Sequence, residues 1–209
     1  MTKPNLILIG VGGHARSCID VIEQQGQFKI AGMIGMPDEV HNQHLGYTVV
    51  GTDINLPELA KIYQYALITI GQIQTDEYRI RLYGEATQLG FKLPVIISHT
   101  AHVSRHATIG AGSIIMNGAI VNTGARVGKN CIINTSALIE HDATVEDHCH
   151  ISTGTILNGD VMVGTGSFIG SGSIIKQGIA IGKRCLVGMG LTVRHNLSDN
   201  SRFTGHNKT

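Results

Sequence analysis

A short stretch near the middle of the chain contains side chains that bind metals or move protons. Residues 132–152 read "IINTSALIEHDATVEDHCHIS", with three histidines, several carboxylates and one cysteine. Imidazole, carboxylate and thiolate groups are the ligands of zinc, whereas a neutral imidazole is also well suited to take a proton near pH 7. These residue types leave a metal site and a general-base site open. The elements that position the side chains decide between the two.

Length and composition limit the class of protein. A chain of 209 residues with 42% hydrophobic residues predicts a globular protein with one large domain or two small ones. The net charge of +1 and the lack of runs of like charge give no reason to expect nucleic acid or a membrane surface as a partner. The apolar stretch "LILIG" is too short for a signal-peptide core, and no segment reaches the length of a membrane span. We therefore expect a cytoplasmic protein without membrane insertion.

The second half of the sequence repeats every six residues. From Val103 to Val193 an aliphatic residue occupies every sixth position, sixteen times without exception, and a series of mostly small residues follows each by four positions. Glycine is frequent, with 27 residues, and aromatic residues are only 4% of the chain. This pattern is typical of a parallel β-helix, in which three hexads form one coil of 18 residues and each side chain stacks on its equivalent in the next coil. Sixteen hexads predict about five coils.

Three cysteines fit the same repeat. Cys131, Cys149 and Cys185 all belong to the small series, at separations of 18 and 36 residues, so they are predicted to lie in one column. Cys18 lies apart from them, before the repeat. We interpret the column as small buried hydrophobic residues and not as a zinc site or a disulfide framework.

The first hundred residues alternate between strand and helix patterns. Strands are predicted at "NLILIG", "KIAGMIG" and "YALITIG", and helices at "RSCIDVIEQQG", "LPELAKIY" and "EYRIRLYGEATQLG". Gly26 and Gly90 are predicted to end the first and last helices. The sequence therefore predicts an α/β domain over residues 1–98 and an all-β domain, the β-helix with a short tail, over residues 99–209.

A glycine loop follows the first strand. The segment "GVGGHA" fits the dinucleotide fingerprint G-x-G-x-x-A, whose glycines let phosphate approach backbone amides at a helix amino terminus. The fingerprint expects an acidic residue at the end of the second strand, but that strand ends in "IGMPDEV". The domain is also small for a full dinucleotide fold. We interpret the loop as a site for a single nucleotide, with a purely structural glycine turn as the alternative.

Three features together resemble a known family. They are the loop Gly10, Gly12, Gly13 and His14, the unbroken hexads, and the segment "IEHDATVEDHCHISTG". The chain resembles the NeuD-type sugar acyltransferases, which belong to the left-handed β-helix (hexapeptide) acyltransferase superfamily and have a Rossmann-like N-terminal domain. The resemblance implies an enzyme that uses acetyl-CoA, without a metal, to N-acetylate a nucleotide-linked 4-amino-4,6-dideoxy sugar for a surface glycan. Sialic acid O-acetylation is the alternative reaction.

The resemblance also implies roles for individual residues. By matching motif, His141 is the general base and Asp142 its neighbouring acid. His150 matches a histidine that approaches the acetyl thioester, and Asn134 a polar residue near the same pocket. His141 lies two positions after inward-facing Ile139, so its side chain is expected to point away from the core. His150 follows His141 by nine residues, half a coil, so the two cannot share an edge in one chain.

That separation favours a pocket shared between subunits, and the resemblance implies a homotrimer with active sites at its interfaces. Gly159 lies one coil beyond His141 and is expected to leave room for the pantetheine arm of the coenzyme. The predicted contacts with the sugar substrate are Gly10, Gly12, Gly13 and His14, and further coenzyme contacts are predicted at Gly170, Gly188 and Lys208.

Two other classes of protein stay open. A β-helix zinc hydrase would recruit His141, His148 and His150 as metal ligands, but this hypothesis explains neither the glycine-loop domain nor the His-Asp pair. A non-catalytic scaffold would bind no acetyl-CoA. The sequence favours a general-base site, with His148 as a bystander.

Overall fold

The computed structural model describes residues 2–205, which divide into two compact units. The first unit runs to Gly71 and resumes from Glu77 to His99, and the second contains Gln72–Asp76 and the chain from Thr100 onward. The main division thus falls one residue from the predicted boundary. The membership of Gln72–Asp76 in the second unit was not predicted. Within residues 2–205, no helix combines the length and the apolar character needed to cross a membrane.

The first unit is a five-stranded sheet with helices. In chain order its elements are β1 (Asn5–Ile9), α1 (Gly13–Gln25), β2 (Lys29–Ile34), a 3₁₀ turn (Pro37–Glu39), β3 (Gln43–His44), β4 (Tyr47–Gly51), a second 3₁₀ turn (Asp53–Asn55), α2 (Leu56–Ile62), β5 (Tyr65–Ile68), α3 (Glu77–Gln88) and β6 (Ile96–Ile97). The sheet order is β3-β4-β2-β1-β5, and all pairings are parallel except β3 with β4. Each predicted strand and helix is present, whereas the β3-β4 hairpin was missed.

The chain path through this sheet determines where a ligand cleft opens. Leu6, Ile7, Leu8 and Ile9 of β1 are all buried, as expected for a central parallel strand covered on both faces. From β1 the chain builds outward through β2 and β4 and then returns to the other side of β1 as β5. Such a reversal of strand order opens a crevice at the carboxyl ends of the strands.

The second unit is a parallel β-helix with three faces. The first face contains β7 (His102–Val103), β10 (Ile120–Val121), β13 (Leu138–Ile139), β16 (Ile156–Leu157), β19 (Ile174–Ile175) and β22 (Thr192–Val193). The second contains β8 (Thr108–Ile109), β11 (Arg126–Val127), β14 (Thr144–Val145), β17 (Met162–Val163) and β20 (Ala180–Ile181). The third contains β9 (Ile114–Ile115), β12 (Ile132–Ile133), β15 (His150–Ile151), β18 (Phe168–Ile169), β21 (Leu186–Val187) and β23 (Arg202–Phe203). Strands pair in parallel at the predicted spacing of 18 residues, as in Ile120 with Leu138, except that β21 pairs with β23 at a spacing of 16 residues.

The interior follows the two predicted series. Aliphatic residues such as Ile139 and Leu157 are fully buried, and the small series is buried beside them. Cys131, Cys149 and Cys185 are buried and free, which confirms their interpretation as core residues. Burial raises the pKa of Cys149 and of Cys185, so both remain protonated thiols.

The corners of the β-helix recur every six residues in the left-handed region of backbone conformation. Corner positions without glycine include Asn130 at φ 53°, Asp142 at φ 60°, His148 at φ 62° and Asp160 at φ 57°. Asparagine and aspartate tolerate this conformation better than most residues with a β-carbon. The repeat therefore imposes the backbone conformation of Asp142 and aims the side chains on either side of it.

Candidate active site

The corner between β13 and β14 carries the predicted His-Asp pair. His141 Nδ1 lies 3.0 Å from Asp142 Oδ2, and 55% and 68% of the two side chains are exposed. The Asp142 amide donates to the Thr123 carbonyl of the preceding coil at 3.1 Å, and the His141 amide donates to Glu140 Oε2 at 3.1 Å. The coil ladder thus fixes the backbone, and the adjacent carboxylate orients the imidazole.

The carboxylates around this corner change the acidity of the imidazole. The hydrogen bond with Asp142 raises the pKa of His141, and the charges of Glu140 and Asp160 act in the same direction. Asp142 accepts a proton held on Nδ1, which leaves Nε2 of the neutral ring as the proton acceptor. An exposed imidazole held this way can take a proton from a bound nucleophile.

Gly159 lies beneath the His141 ring. A β-carbon added at Gly159 would be 2.6 Å from both Cε1 and Nε2 of His141. The space predicted beside the base is therefore filled by the imidazole itself, which rests on the glycine backbone of the next coil. A coenzyme contact at Gly159 stays a prediction.

His150 and Asn134 form a second polar group, on the third face of the β-helix. Asn134 Oδ1 accepts from the Thr135 amide at 2.8 Å, which turns Asn134 Nδ2 towards His150 Nε2 at 3.1 Å. On the other side of the ring, His150 Nδ1 lies 2.6 Å from the Gln72 carbonyl oxygen. With its proton on Nδ1, the His150 ring donates to the Gln72 carbonyl and accepts from the Asn134 amide. The structure brings His150 and Asn134 together, while His141 lies on a different corner.

Gly170 and Gly188, the other predicted coenzyme contacts in the β-helix, stack on each other one coil apart. A β-carbon at Gly170 would lie 2.6 Å from backbone atoms of Gly188 and Met189. Close packing of the coils therefore already explains glycine at position 170. Contacts of both residues with a coenzyme stay predictions, and Lys208 lies outside the described residues 2–205.

The remaining polar residues of residues 132–152 connect neighbouring coils. Glu146 Oε2 accepts from the amide and the hydroxyl of Thr165, at 2.9 and 2.7 Å. Asp147 Oδ1 accepts from the Lys129 amide at 2.7 Å, and His148 Nδ1 pairs with Asn130 Nδ2 at 3.0 Å. Within residues 2–205 there is no group of three or more histidine, cysteine, aspartate or glutamate side chains arranged to hold a metal ion.

A cavity of about 230 Å³ opens in the first unit at the carboxyl ends of its central strands. Its lining residues are Ile9, Gly10, Val11, Gly12, Ile34, Gly35, Met36, Glu39, Asp53, Ile70 and Tyr78. Of the four residues predicted to bind the sugar substrate, Gly10 and Gly12 line this cavity, whereas Gly13 and His14 begin helix α1. The cavity thus lies at the glycine loop, and its occupation by a nucleotide stays a prediction.

The glycines of the loop have different roles. Gly10 has φ 121°, and an added β-carbon would lie 2.5 Å from Ile70 Cγ1, so the fold itself requires glycine there. Added β-carbons at Gly12 and Gly13 would meet nothing within 4 Å. These two glycines therefore leave backbone amides at the amino terminus of α1 open to a ligand.

His14 faces its own helix. Its Nε2 lies 3.4 Å from Cys18 Sγ, one turn along α1. Burial raises the pKa of the Cys18 thiol to about 12, so the thiol is the donor and His14 Nε2 the acceptor. A contact of His14 with the sugar substrate stays a prediction.

Sequence reasoning missed three polar residues of the cavity. Glu39, Asp53 and Tyr78 come from two 3₁₀ turns and the first turn of α3. No spacing rule connects them to the glycine loop. The one indication in the sequence was the acidic pair Asp38-Glu39, which follows the second strand a few residues later than the fingerprint expects its acid.

Comparisons with known proteins match both units. Family models match the PglD N-terminal domain over residues 5–82 and the hexapeptide repeat of succinyl-transferase over residues 160–194. The chain is similar to a histidine-to-asparagine variant of perosamine N-acetyltransferase from Caulobacter crescentus in complex with CoA and GDP-perosamine. The two are 31% identical over 95% of this chain and 92% of that one, with a TM-score of 0.89.

Two further structures extend the comparison. The acetyltransferase domain of PglB from Neisseria gonorrhoeae, in complex with acetyl coenzyme A, is 29% identical over 96% of each chain, with a TM-score of 0.87. WeeI from Acinetobacter baumannii, 20% identical over 95% of each chain, shares the fold with a TM-score of 0.82. A comparison with curated protein sequences found no significant match. The predicted fold, an α/β domain followed by a left-handed β-helix of hexapeptide repeats, is confirmed.

Proposed function

Because the chain belongs to the NeuD-type family of sugar acyltransferases, we propose that it transfers the acetyl group of acetyl-CoA to the amine of a nucleotide-linked 4-amino-4,6-dideoxy sugar. The observation that carries the proposal is the exposed His141-Asp142 pair, whose imidazole is oriented with Nε2 available as a base. The acetyl donor and the sugar are supported by the relatives, of which one binds CoA and GDP-perosamine and another acetyl coenzyme A.

In the proposed mechanism His141 handles the proton. The amine nitrogen of the sugar attacks the thioester carbonyl, and His141 Nε2 takes the proton that the nitrogen loses as the C–N bond forms. The C–S bond then breaks, and the imidazolium returns the proton to the departing thiolate. Throughout the reaction Asp142 accepts the hydrogen bond from the protonated Nδ1 of His141, and its negative charge stabilises the transient positive charge on the ring.

Asn134 and His150 are the residues proposed near the acetyl carbonyl. Both ring nitrogens of His150 already have partners in Gln72 and Asn134, so we assign the ring to orienting the Asn134 amide. That amide has a second N–H, which can donate to the carbonyl oxygen as negative charge develops on it. Gly159, Gly170, Gly188 and Lys208 are proposed to contact the coenzyme.

The first unit is proposed to hold the nucleotide of the sugar. Its diphosphate would approach the amides of Gly12 and Gly13 at the amino terminus of α1, where the helix dipole favours an anion. Gly10 would shape the loop, and His14 would lie at its edge. The cavity of about 230 Å³ would receive the nucleoside.

We also propose that the protein is a homotrimer with active sites between subunits. In support, the outward side chains of the first β-helix face form an aliphatic column of Ile120, Leu138, Ile156 and Ile174, of which Ile120 and Ile174 are 38% and 39% exposed. An aliphatic column on a flat face is typical of a surface that packs on another copy. We expect Ile174→Glu to produce monomers in analytical ultracentrifugation, and Met162→Glu on the second face to leave the trimer intact.

The acyltransferase reaction is tested by release of free thiol from acetyl-CoA with a panel of acceptors. The panel contains GDP-, UDP- and dTDP-linked 4-amino sugars and free sialic acids. Release with one amino sugar supports the proposal, whereas release only with a sialic acid identifies an O-acetyltransferase. No binding of acetyl-CoA would contradict the enzyme assignment. A role in surface glycan synthesis and a cytoplasmic location stay predictions.

A further inference from the structure

The acidic residue Glu39 lines the cavity of the first unit. The sequence has no acidic residue directly at the end of the second strand, where the dinucleotide fingerprint expects one. In a dinucleotide-binding fold a carboxylate at the end of the second strand binds the ribose hydroxyls. Here β2 ends at Ile34 and is followed by Gly35 and Met36. The 3₁₀ turn Pro37–Glu39 folds back over this strand end, and Glu39 lines the cavity beside Gly35 and Met36.

Local contacts hold the Glu39 carboxylate at that position. The Met36 amide donates to Glu39 Oε2 at 2.7 Å, which closes the turn. A β-carbon added at Gly35 would lie 2.8 Å from the same oxygen, so glycine at position 35 makes room for the carboxylate. Only Oε2 is used by the turn, and Oε1 has no hydrogen-bond partner among residues 2–205.

Asp53, the other carboxylate of the cavity, is already occupied. Its Oδ2 accepts from the Tyr78 hydroxyl at 3.0 Å and from Arg81 Nη2 at 2.8 Å. Arg81 also neutralises its charge. Glu39 makes no ion pair with any residue between 2 and 205. Of the two carboxylates, Glu39 is therefore the one able to accept hydrogen bonds from a ligand.

We infer that Glu39 accepts hydrogen bonds from the ribose hydroxyls of the nucleotide and thereby selects ribonucleotide-linked sugars over 2′-deoxyribonucleotide-linked ones. The inference rests on the proposed function, because it deepens the role of the nucleotide cavity. A ribose 2′-hydroxyl is a donor for the open carboxylate oxygen. A 2′-deoxyribose offers no 2′-hydroxyl, so the bound nucleotide leaves that charged oxygen without a hydrogen-bond donor. The missing hydrogen bond lowers the affinity for the deoxyribonucleotide.

The test uses the full chain and isothermal titration with two matched pairs of nucleotides, GDP with 2′-deoxy-GDP and UDP with 2′-deoxy-UDP. For whichever base binds measurably, we expect the ribonucleotide to bind about 10- to 100-fold more tightly than its 2′-deoxy counterpart. In Glu39→Gln the amide oxygen still accepts from Met36, so the turn is retained, but the preference for ribose falls towards unity. Asp38→Asn removes the same charge from the same turn outside the cavity lining and is expected to keep the preference.

Several results would overturn the inference. One is equal binding of the ribose and deoxyribose forms by the unsubstituted protein, and another is an unchanged preference for ribose in Glu39→Gln. A third is a Glu39→Gln variant that changes the preference between GDP and UDP but keeps the preference for ribose over deoxyribose. Absence of nucleotide binding would also overturn it. Titration with acetyl-CoA in parallel separates this failure from failure of the proposed function, since a protein that binds acetyl-CoA but shows no ribose preference refutes only the role of Glu39.

Discussion

The His141 corner and the glycine-loop cavity are two polar sites built in different ways. At the corner, neighbouring residues of one hexad supply the proposed base and its acid, and residues one coil away support them, as Thr123 and Gly159 do. In the cavity, a backbone loop faces side chains such as Glu39 and Asp53, which come from turns far along the chain. The repeat makes the first site rigid and regular, whereas the second depends on how loops pack at one sheet edge.

The two sites should therefore respond differently to substitutions. A ladder of coils fixes a corner residue through hydrogen bonds on both sides, so a substitution there changes chemistry or local packing without changing the fold. In a loop at the carboxyl edge of a sheet, individual glycines have different roles: some are required by the backbone conformation and packing of the fold, and others leave space for a ligand. The following predictions test that contrast.

Replacing the base should have the largest effect. We expect His141→Ala to lower kcat/KM for acetyl transfer by about 10²- to 10⁴-fold, because the proton acceptor is lost. Steady-state thiol release measures the change. His148→Asn, at a corner one hexad further, is expected to keep full activity, and an equal loss in both variants would argue against a special role for His141.

Disturbing the support of the base should have the next largest effect. The methyl group of Gly159→Ala would lie 2.6 Å from the His141 imidazole, so the ring must leave its position beside Asp142. We expect kcat to fall by about 10²-fold, and the pKa of His141, measured by NMR, to fall because the bond with Asp142 is broken. Gly178→Ala, with nothing within 4 Å of its added β-carbon, should leave that pKa unchanged even if its positive φ costs stability.

The glycines of the loop should separate into two classes. Gly12→Ala is expected to raise KM for the nucleotide sugar about tenfold while thermal unfolding stays unchanged, since the methyl group enters only ligand space. Gly10→Ala is expected to lower the free energy of unfolding by about 1–3 kcal/mol, because it combines a positive φ with a contact against Ile70. Similar stability of both variants would refute the distinction.

Removing the carboxylate beside the base should shift the pH profile. Asp142 raises the pKa of His141. Because the proposed base acts in its neutral form, we expect activity to fall as the pH drops through that pKa. Asp142→Asn lowers the pKa, and we expect the acidic limb of kcat/KM to move to lower pH. Asp199→Asn, whose side chain oxygen can still accept from the Lys183 amide, should leave the limb in place.

The β-helix and its corner could be predicted in detail because the repeat converts sequence spacing into spatial position. Residues 18 apart stack, so Gly159 was expected next to His141, and the cysteines were expected in one buried column. The strands and helices of the first unit followed from their apolar periodicity. The β3-β4 hairpin was missed because β3 has only two residues and carries no alternating pattern.

Other features depended on contacts that no local pattern encodes. The predicted approach of His150 to the acetyl thioester stays a prediction, but nothing in the sequence indicated that its ring lies between the Asn134 amide and the carbonyl of Gln72, 78 residues earlier in the chain. Glu39 likewise lines the cavity beside the end of β2 because a 3₁₀ turn brings it there. In both cases the decisive partner comes from a loop whose path the sequence does not specify.

The sequence by itself determined the β-helix, the α/β domain, the glycine loop and the pairing of His141 with Asp142, because each depends on regular spacing or on adjacent residues. Only the tertiary structure decided that the His141 ring rests on Gly159, that Gly10 serves the fold while Gly12 faces open space, and that Glu39 lines the cavity at the glycine loop. These last features depend on distances of a few ångströms between side chains and backbone. Such distances are set by the packing of whole elements and not by the residues of any one segment.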